Sequence, residues 1–194
     1  MRKAVIERKT AETEIFLRIN LDGRGKSDID TGIGFFDHML VALSRHSFID
    51  IELKAKGDLY VDTHHTVEDT GIVFGNALKE ALGDKKGIKR YGSCILPMDE
   101  ALILSAIDFG GRSYLNYDVN LTVERVGEFE CEMLKEFFIA VANNAQMNIH
   151  LKQIDGSNNH HIIEAVFKSF AKSLKDAVNI DGKIEGVLST KGSL

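Results

Sequence analysis

Two stretches of this chain pair adjacent histidines with a glutamate: His64-His65 with Glu68, and His160-His161 with Glu164. On a helix, residues i and i+4 share a face, while residue i+1 is rotated by ~100°. His64 and Glu68 can therefore grip one ion, as can His160 and Glu164. His65 and His161 point to the flank of each helix, where they can reach a second ion. Two metals follow, each taking a pair from one helix and a single histidine from another. Imidazole nitrogens and carboxylates without a thiolate suit Mn, Fe, Co or Zn better than Mg or Ca. A lone HHxxE near a helix start is equally well read as a polar turn, its Glu favoured by the helix dipole. Two copies that keep the same three residues while their neighbours differ make ligation the stronger reading. His46 and His150 have no repeat counterpart and read as ordinary surface or edge residues.

The motif recurs because a longer stretch of chain does. Residues 64–82 (HHTVEDTGIVFGNALKEAL) align with 160–178 (HHIIEAVFKSFAKSLKDAV) at an offset of 96, with seven of nineteen positions identical. Upstream, an offset of 98 places GFFDHMLVAL over EMLKEFFIAV and IDIEL over MNIHL, so the second copy lacks two residues between about 152 and 160. This self-similarity reads as a tandem duplication, with halves of roughly 1–90 and 91–194 and GDKKG at 83–87 as the boundary. It also sets His38 opposite Glu136, adding one ligand to each half.

Periodicity gives the elements that must position these groups. Alternating patterns predict strands at 13–21 and 48–55, within 94–109 with a break at Pro97, and at 112–121. Apolar residues at i, i+3, i+4 predict helices over 34–46 and 131–147. Longer helices follow near 64–82 and 160–177, with Asp62 and Asn158 as caps. The expectation is an α+β fold, a tandem duplication of a half-domain in which each half is a mixed β-sheet packed against two helices, the whole forming one compact unit.

Composition narrows the remaining classes. A hydrophobic share of 44% is enough for a sizeable core, yet no run of eighteen apolar residues exists, so a membrane span is excluded. MRKAVIERKT has no apolar leader, which argues against secretion. Two cysteines far apart, Cys94 and Cys131, fit a reducing cytoplasm. A net charge of −5 without a basic stripe disfavours nucleic-acid binding. An anionic ligand must then be held by a few placed lysines and arginines.

The runs GIGFFDHML, DTHHTVEDTGI, NNHHIIEAVFKSFAKSL and GVLSTKGSL are similar to signature segments of the imidazoleglycerol-phosphate dehydratases, and the likeness covers nearly the whole chain. The length resembles the monofunctional form. The resemblance implies a duplicated α+β half-domain, two Mn²⁺ per subunit and assembly into homo-oligomeric 24-mers. It implies that His38, His65, His160 and Glu164 hold one manganese, and that His64, Glu68, His161 and Glu136 hold the other. There is one departure: many members carry His where this chain has Glu136, although a carboxylate can still ligate. Glu12 matches the family's acid/base position and also a substrate contact. Asp37, Arg90, Arg112, Lys168, Ser189, Thr190 and Lys191 match further substrate contacts, the basic ones suited to phosphate. Asp99 and Glu100 are weaker candidates with a structural reading.

The reaction so implied removes water from the glycerol side chain of imidazoleglycerol phosphate, giving imidazole acetol phosphate in histidine biosynthesis. No carbonyl lies beside the departing proton, so the ring must supply the electrons. Metals at the two ring nitrogens would stabilise an imidazolate able to expel hydroxide to a diazafulvene, while a carboxylate takes the proton. Two other classes use the same ligand types. A dinuclear metallohydrolase would leave the imidazole substrate untouched, and a metal-dependent assembly protein would need neither Glu12 nor the phosphate donors.

Overall fold

A computed structural model describes residues 2–193. The first half runs β1 (Lys3–Lys9), β2 (Thr13–Asn20), β3 (Ser27–Asp30), α1 (Gly34–Ser47), β4 (Asp50–Gly57) and α2 (His64–Leu82). The second runs β5 (Tyr91–Met98), β6 (Ala101–Asp108), β7 (Tyr114–Asp118), a short ribbon of β8 (Arg125–Val126) and β9 (Phe129–Glu130), α3 (Met133–Ala145), β10 (Asn148–Asp155) and α4 (Asn159–Val178). Apart from the ribbon, the order of elements is the same. Each half forms a four-stranded mixed sheet, β1-β2-β4-β3 and β5-β6-β10-β7. In each, one pair is parallel, β3 with β4 and β7 with β10. The α+β class with two helix-backed mixed sheets is therefore what the fold shows.

Alternation built β2: Thr13, Ile15, Leu17 and Ile19 are buried while Glu14 and Arg18 face solvent. The strand expected from residue 48 begins two residues later, because Phe48 adopts a left-handed conformation (φ 61°) that closes α1. The expected break at Pro97 is displaced as well. Pro97 lies inside β5, an edge strand where a missing N–H is tolerated, and the chain instead reverses at Asp99-Glu100, with Asp99 at φ 48°. β1 and β3 carry no clear alternation in sequence. β1 is a charged edge strand and β3 is the four residues SDID, ordered by parallel pairing with β4.

The helices join the halves. α2 packs on β1, β2 and α3, while α4 packs on β5, β6 and α1, so each long helix meets a helix of the other half. Gly71 and Gly75 allow α2 and α3 to approach closely, since a Cβ at either would fall within 2.9 Å of α3 atoms. Between the sheets, Phe36, Phe137, Phe138, Phe167 and Phe170 are fully buried, with Phe36, Phe137 and Phe167 in ring contact at 5.5–6.4 Å. Each contributes about 1.5–3 kcal/mol by burial. Two of these rings follow Glu136 directly and one precedes Asp37 and His38, so the core fixes the helix faces that carry polar groups. No helix among the described residues is long and apolar enough to cross a membrane.

Candidate metal centre

Both HHxxE motifs sit at helix starts. Asn158 caps α4 by accepting from the backbone N–H groups of His160 and His161. At α2 the N-cap is Thr63, whose side chain bonds no helix N–H, and the expected cap Asp62, one residue earlier, accepts only from His64 N–H at 2.8 Å. The first turn of each helix is thus held where its histidines must point.

His38 from α1 meets His160 and Glu164 from α4. His160 Nε2 lies 3.2 Å and His38 Nε2 3.7 Å from Glu164 Oε2. The ligand atoms of all three fall within 4.8 Å of one another, and this is the one group of three or more metal-type ligands that gathers among the described residues. Glu164 is buried, and its other oxygen accepts from Lys168 Nζ at 2.6 Å. Burial pushes this carboxyl up, but the Lys168 hydrogen bond and charge, with His38 and His160, outweigh it and hold the pKa below the usual range. Nitrogen and carboxylate donors from two helices, with a buried anion at the centre, fit a divalent transition metal.

The motif of α2 is arranged differently. His64 Nε2 lies 3.5 Å from Glu68 Oε2. His65 turns aside: its Nδ1 is 3.1 Å from both oxygens of Asp58, and its Nε2 is 3.7 Å from Glu12 in the β1–β2 turn. Its counterpart His161 has Nδ1 at 2.8 Å from Glu100 and Nε2 at 3.6 Å from Asp99. These hydrogen bonds, to Asp58 and to Glu100, hold both imidazole pKa values above the ordinary one. Glu100, bonded to His161 and to the Asn158 backbone, is lowered to about 2.

The remaining residues divide into those brought into the site and those held elsewhere. Glu136, on α3, lines an open groove with Lys135, Tyr117 and Arg125 and joins neither histidine pair within the chain. Asp37 accepts from the Thr31 backbone and hydroxyl at 2.8 and 2.6 Å, which ties the loop before α1. Arg90 is gripped through Nε and Nη2 by Asp108 at 2.6 and 3.1 Å, and its Nη1 donates to Leu188 O at 2.8 Å, next to the half-buried Ser189 and the exposed Thr190 and Lys191. Arg112 is exposed in the loop after β6. Asp58 carried no signal in the sequence, because it belongs to no motif and has no acidic repeat partner.

Fold and site together define a duplicated α+β protein with a histidine–carboxylate group suited to a divalent metal. A profile of the family described as Imidazoleglycerol-phosphate dehydratase matches residues 31–174. The imidazoleglycerol-phosphate dehydratase of Lachnoclostridium phytofermentans is 60% identical over 100% of this chain and 98% of its own length. That of Acetivibrio thermocellus is 58% identical over 100% and 99%. Among solved structures, the Staphylococcus aureus enzyme superposes with a TM-score of 0.84 at 39% identity, covering 92% of this chain and 99% of that one. IGPD from Pyrococcus furiosus in complex with (S)-C348 gives 0.85 at 39%, over 97% and 100%. The chain belongs to the imidazoleglycerol-phosphate dehydratase family.

Proposed function

We infer that this chain is a hydro-lyase of histidine biosynthesis that eliminates water from D-erythro-imidazoleglycerol phosphate, using two Mn²⁺ per subunit. Family membership supports the activity. The observation that supports the metal chemistry is the His38–His160–Glu164 group, which draws ligands from helices of both repeat halves, 1–90 and 91–194. His65 is assigned to the same ion. His64, Glu68, His161 and Glu136 are assigned to the second; neither His65 with the first group nor these four converge within one chain, so each ion takes ligands from two neighbouring subunits. A 24-mer assembly in the cytosol completes this reading, in keeping with two free cysteines, Cys94 and Cys131.

Held by these histidines and glutamates, divalent ions would supply the Lewis acidity that stabilises negative charge on an imidazole ring. The chain's own residues do the rest. Glu12 stands at the edge of the site beside His65 and moves the side-chain proton. Lys168, bonded to Glu164, places a cation beside the metal ligands, and Arg90, Arg112, Ser189, Thr190 and Lys191 hold the phosphate. Asp37 contributes through the Thr31 loop that sets the start of α1.

The test is to incubate the purified protein with imidazoleglycerol phosphate and Mn²⁺ and identify the product. Imidazole acetol phosphate is the expected product. Release of inorganic phosphate without it would favour a metallohydrolase.

A further inference from the structure

His65 and His161 are repeat partners, each the second histidine of its pair, and each has Nδ1 on a carboxylate. The carboxylates are not repeat partners. Asp58 follows β4, whereas Glu100 is in the turn between β5 and β6. At the upstream offset of 98, the position matching Asp58 is Gly156. Gly156 has φ 135°, and a Cβ there would lie 2.9 Å from Ile162 and 3.1 Å from Ala101, so that site has no room for an acid. The absence of a side chain lets the β5–β6 turn approach the start of α4. Glu100 then reaches His161 with one oxygen, while its other accepts from Ser157 and Asn158 N–H at 3.2 and 2.7 Å.

We infer that Asp58 and Glu100 are positioning residues doing one task from two different loops: they fix His65 and His161 with the proton on Nδ1 and the Nε2 lone pair free for a metal ion. An ionised carboxylate only accepts hydrogen bonds, so a neutral imidazole against it must carry its proton on the facing nitrogen. Such partners orient the ring and raise its basicity as a ligand. The exchange of loops also separates the two turns in function. Because Asp58 holds His65 from the loop side, Glu12 in the β1–β2 turn keeps its carboxylate for proton transfer. Glu100, engaged by three donors, cannot serve that role.

The inference rests on the reading of His65 and His161 as ligands, and the test separates the two. The full chain is stripped of metal and titrated with Mn²⁺ against a competing chelator, for the parent and for Asp58→Asn, Asp58→Ala, Glu100→Gln, His65→Ala and His161→Ala. Each carboxylate variant should bind Mn²⁺ about 10–100-fold more weakly. Parent-like affinity in those variants, with loss in the histidine variants, overturns the positioning role alone. Parent-like affinity in the histidine variants overturns the ligand assignment beneath it. Because Glu100 also supports the start of α4, a second measurement needs no variant: histidine-selective ¹⁵N spectra of the metal-free parent, recorded at a pH high enough that both rings are neutral. Nδ1–H tautomers at both residues support the inference, and Nε2–H tautomers overturn it.

Discussion

The Thr13 hydroxyl donates to Asp69 Oδ2 at 2.5 Å, joining the hairpin that carries Glu12 to the helix that carries His65. Both residues are buried, and Asp69 also receives Arg8 at 3.0 Å. The turn itself is closed by Thr10, whose hydroxyl accepts from the N–H groups of Glu12 and Thr13. Glu12 thus reaches His65 through a backbone fixed at two points.

Thr13→Val keeps the shape and removes the donor, leaving Asp69 to Arg8 alone. A hydrogen bond to a charged group contributes about 1.5–3 kcal/mol, so the thermal midpoint should fall. The more telling effect is on turnover: small displacements of a reacting group cost up to ~10²-fold, so kcat should drop while bound metal is unchanged. Steady-state kinetics with elemental analysis checks this, and a parent-like kcat would detach the hairpin anchor from catalysis.

Glu12→Gln should leave metal content and oligomeric size intact while kcat falls by ~10²-fold or more, the usual scale of acid/base catalysis. Retention of most of the turnover would remove Glu12 from the mechanism.

Lys191→Ala should raise KM and weaken competitive inhibition by inorganic phosphate without moving the thermal midpoint, since Lys191 is exposed and packs nothing into the core. Asp108→Asn should act in the same direction, because it loosens Arg90, whose other edge holds the tail at Leu188. Undiminished phosphate binding in both variants would dismiss the tail as a clamp.

Much of this was legible in the sequence because the duplication repeats it. Two HHxxE copies located both helices, and the offset that set His38 opposite Glu136 marked His38 as a candidate ligand; that it would join His160 and Glu164 of α4 was implied only by the family resemblance. The strand breaks were less legible. Pro97 looked like an interruption, yet an edge strand tolerates it and the reversal falls at Asp99. β3, four polar residues, depends on pairing with β4, which is tertiary information. Asp58 stayed hidden for a related reason: its repeat position is Gly156, so no acidic partner marked it, and Glu100, read from sequence only as a weak candidate, meets the matching histidine from an inequivalent turn.

The proposed sharing of metal sites between subunits would link metal to assembly. Ions held between subunits stabilise the assembled form by mass action, and metal binding needs deprotonated imidazoles. Chelation should therefore yield smaller, inactive oligomers, acidification should do likewise, and Mn²⁺ should restore size and activity together. Light scattering coupled to sizing chromatography reports this. Full-size metal-free protein would leave the ions catalytic without an assembly role.

On the proposed mechanism, water elimination depends on two metal ions per chain held by the paired histidine–glutamate motifs. Metal-free protein titrated with Mn²⁺, with conversion of imidazoleglycerol phosphate to imidazole acetol phosphate followed at each addition, tests it most directly. Turnover should be negligible at the start and rise to a plateau near two equivalents per chain. Full turnover without metal, or saturation at a single equivalent, would contradict the claim.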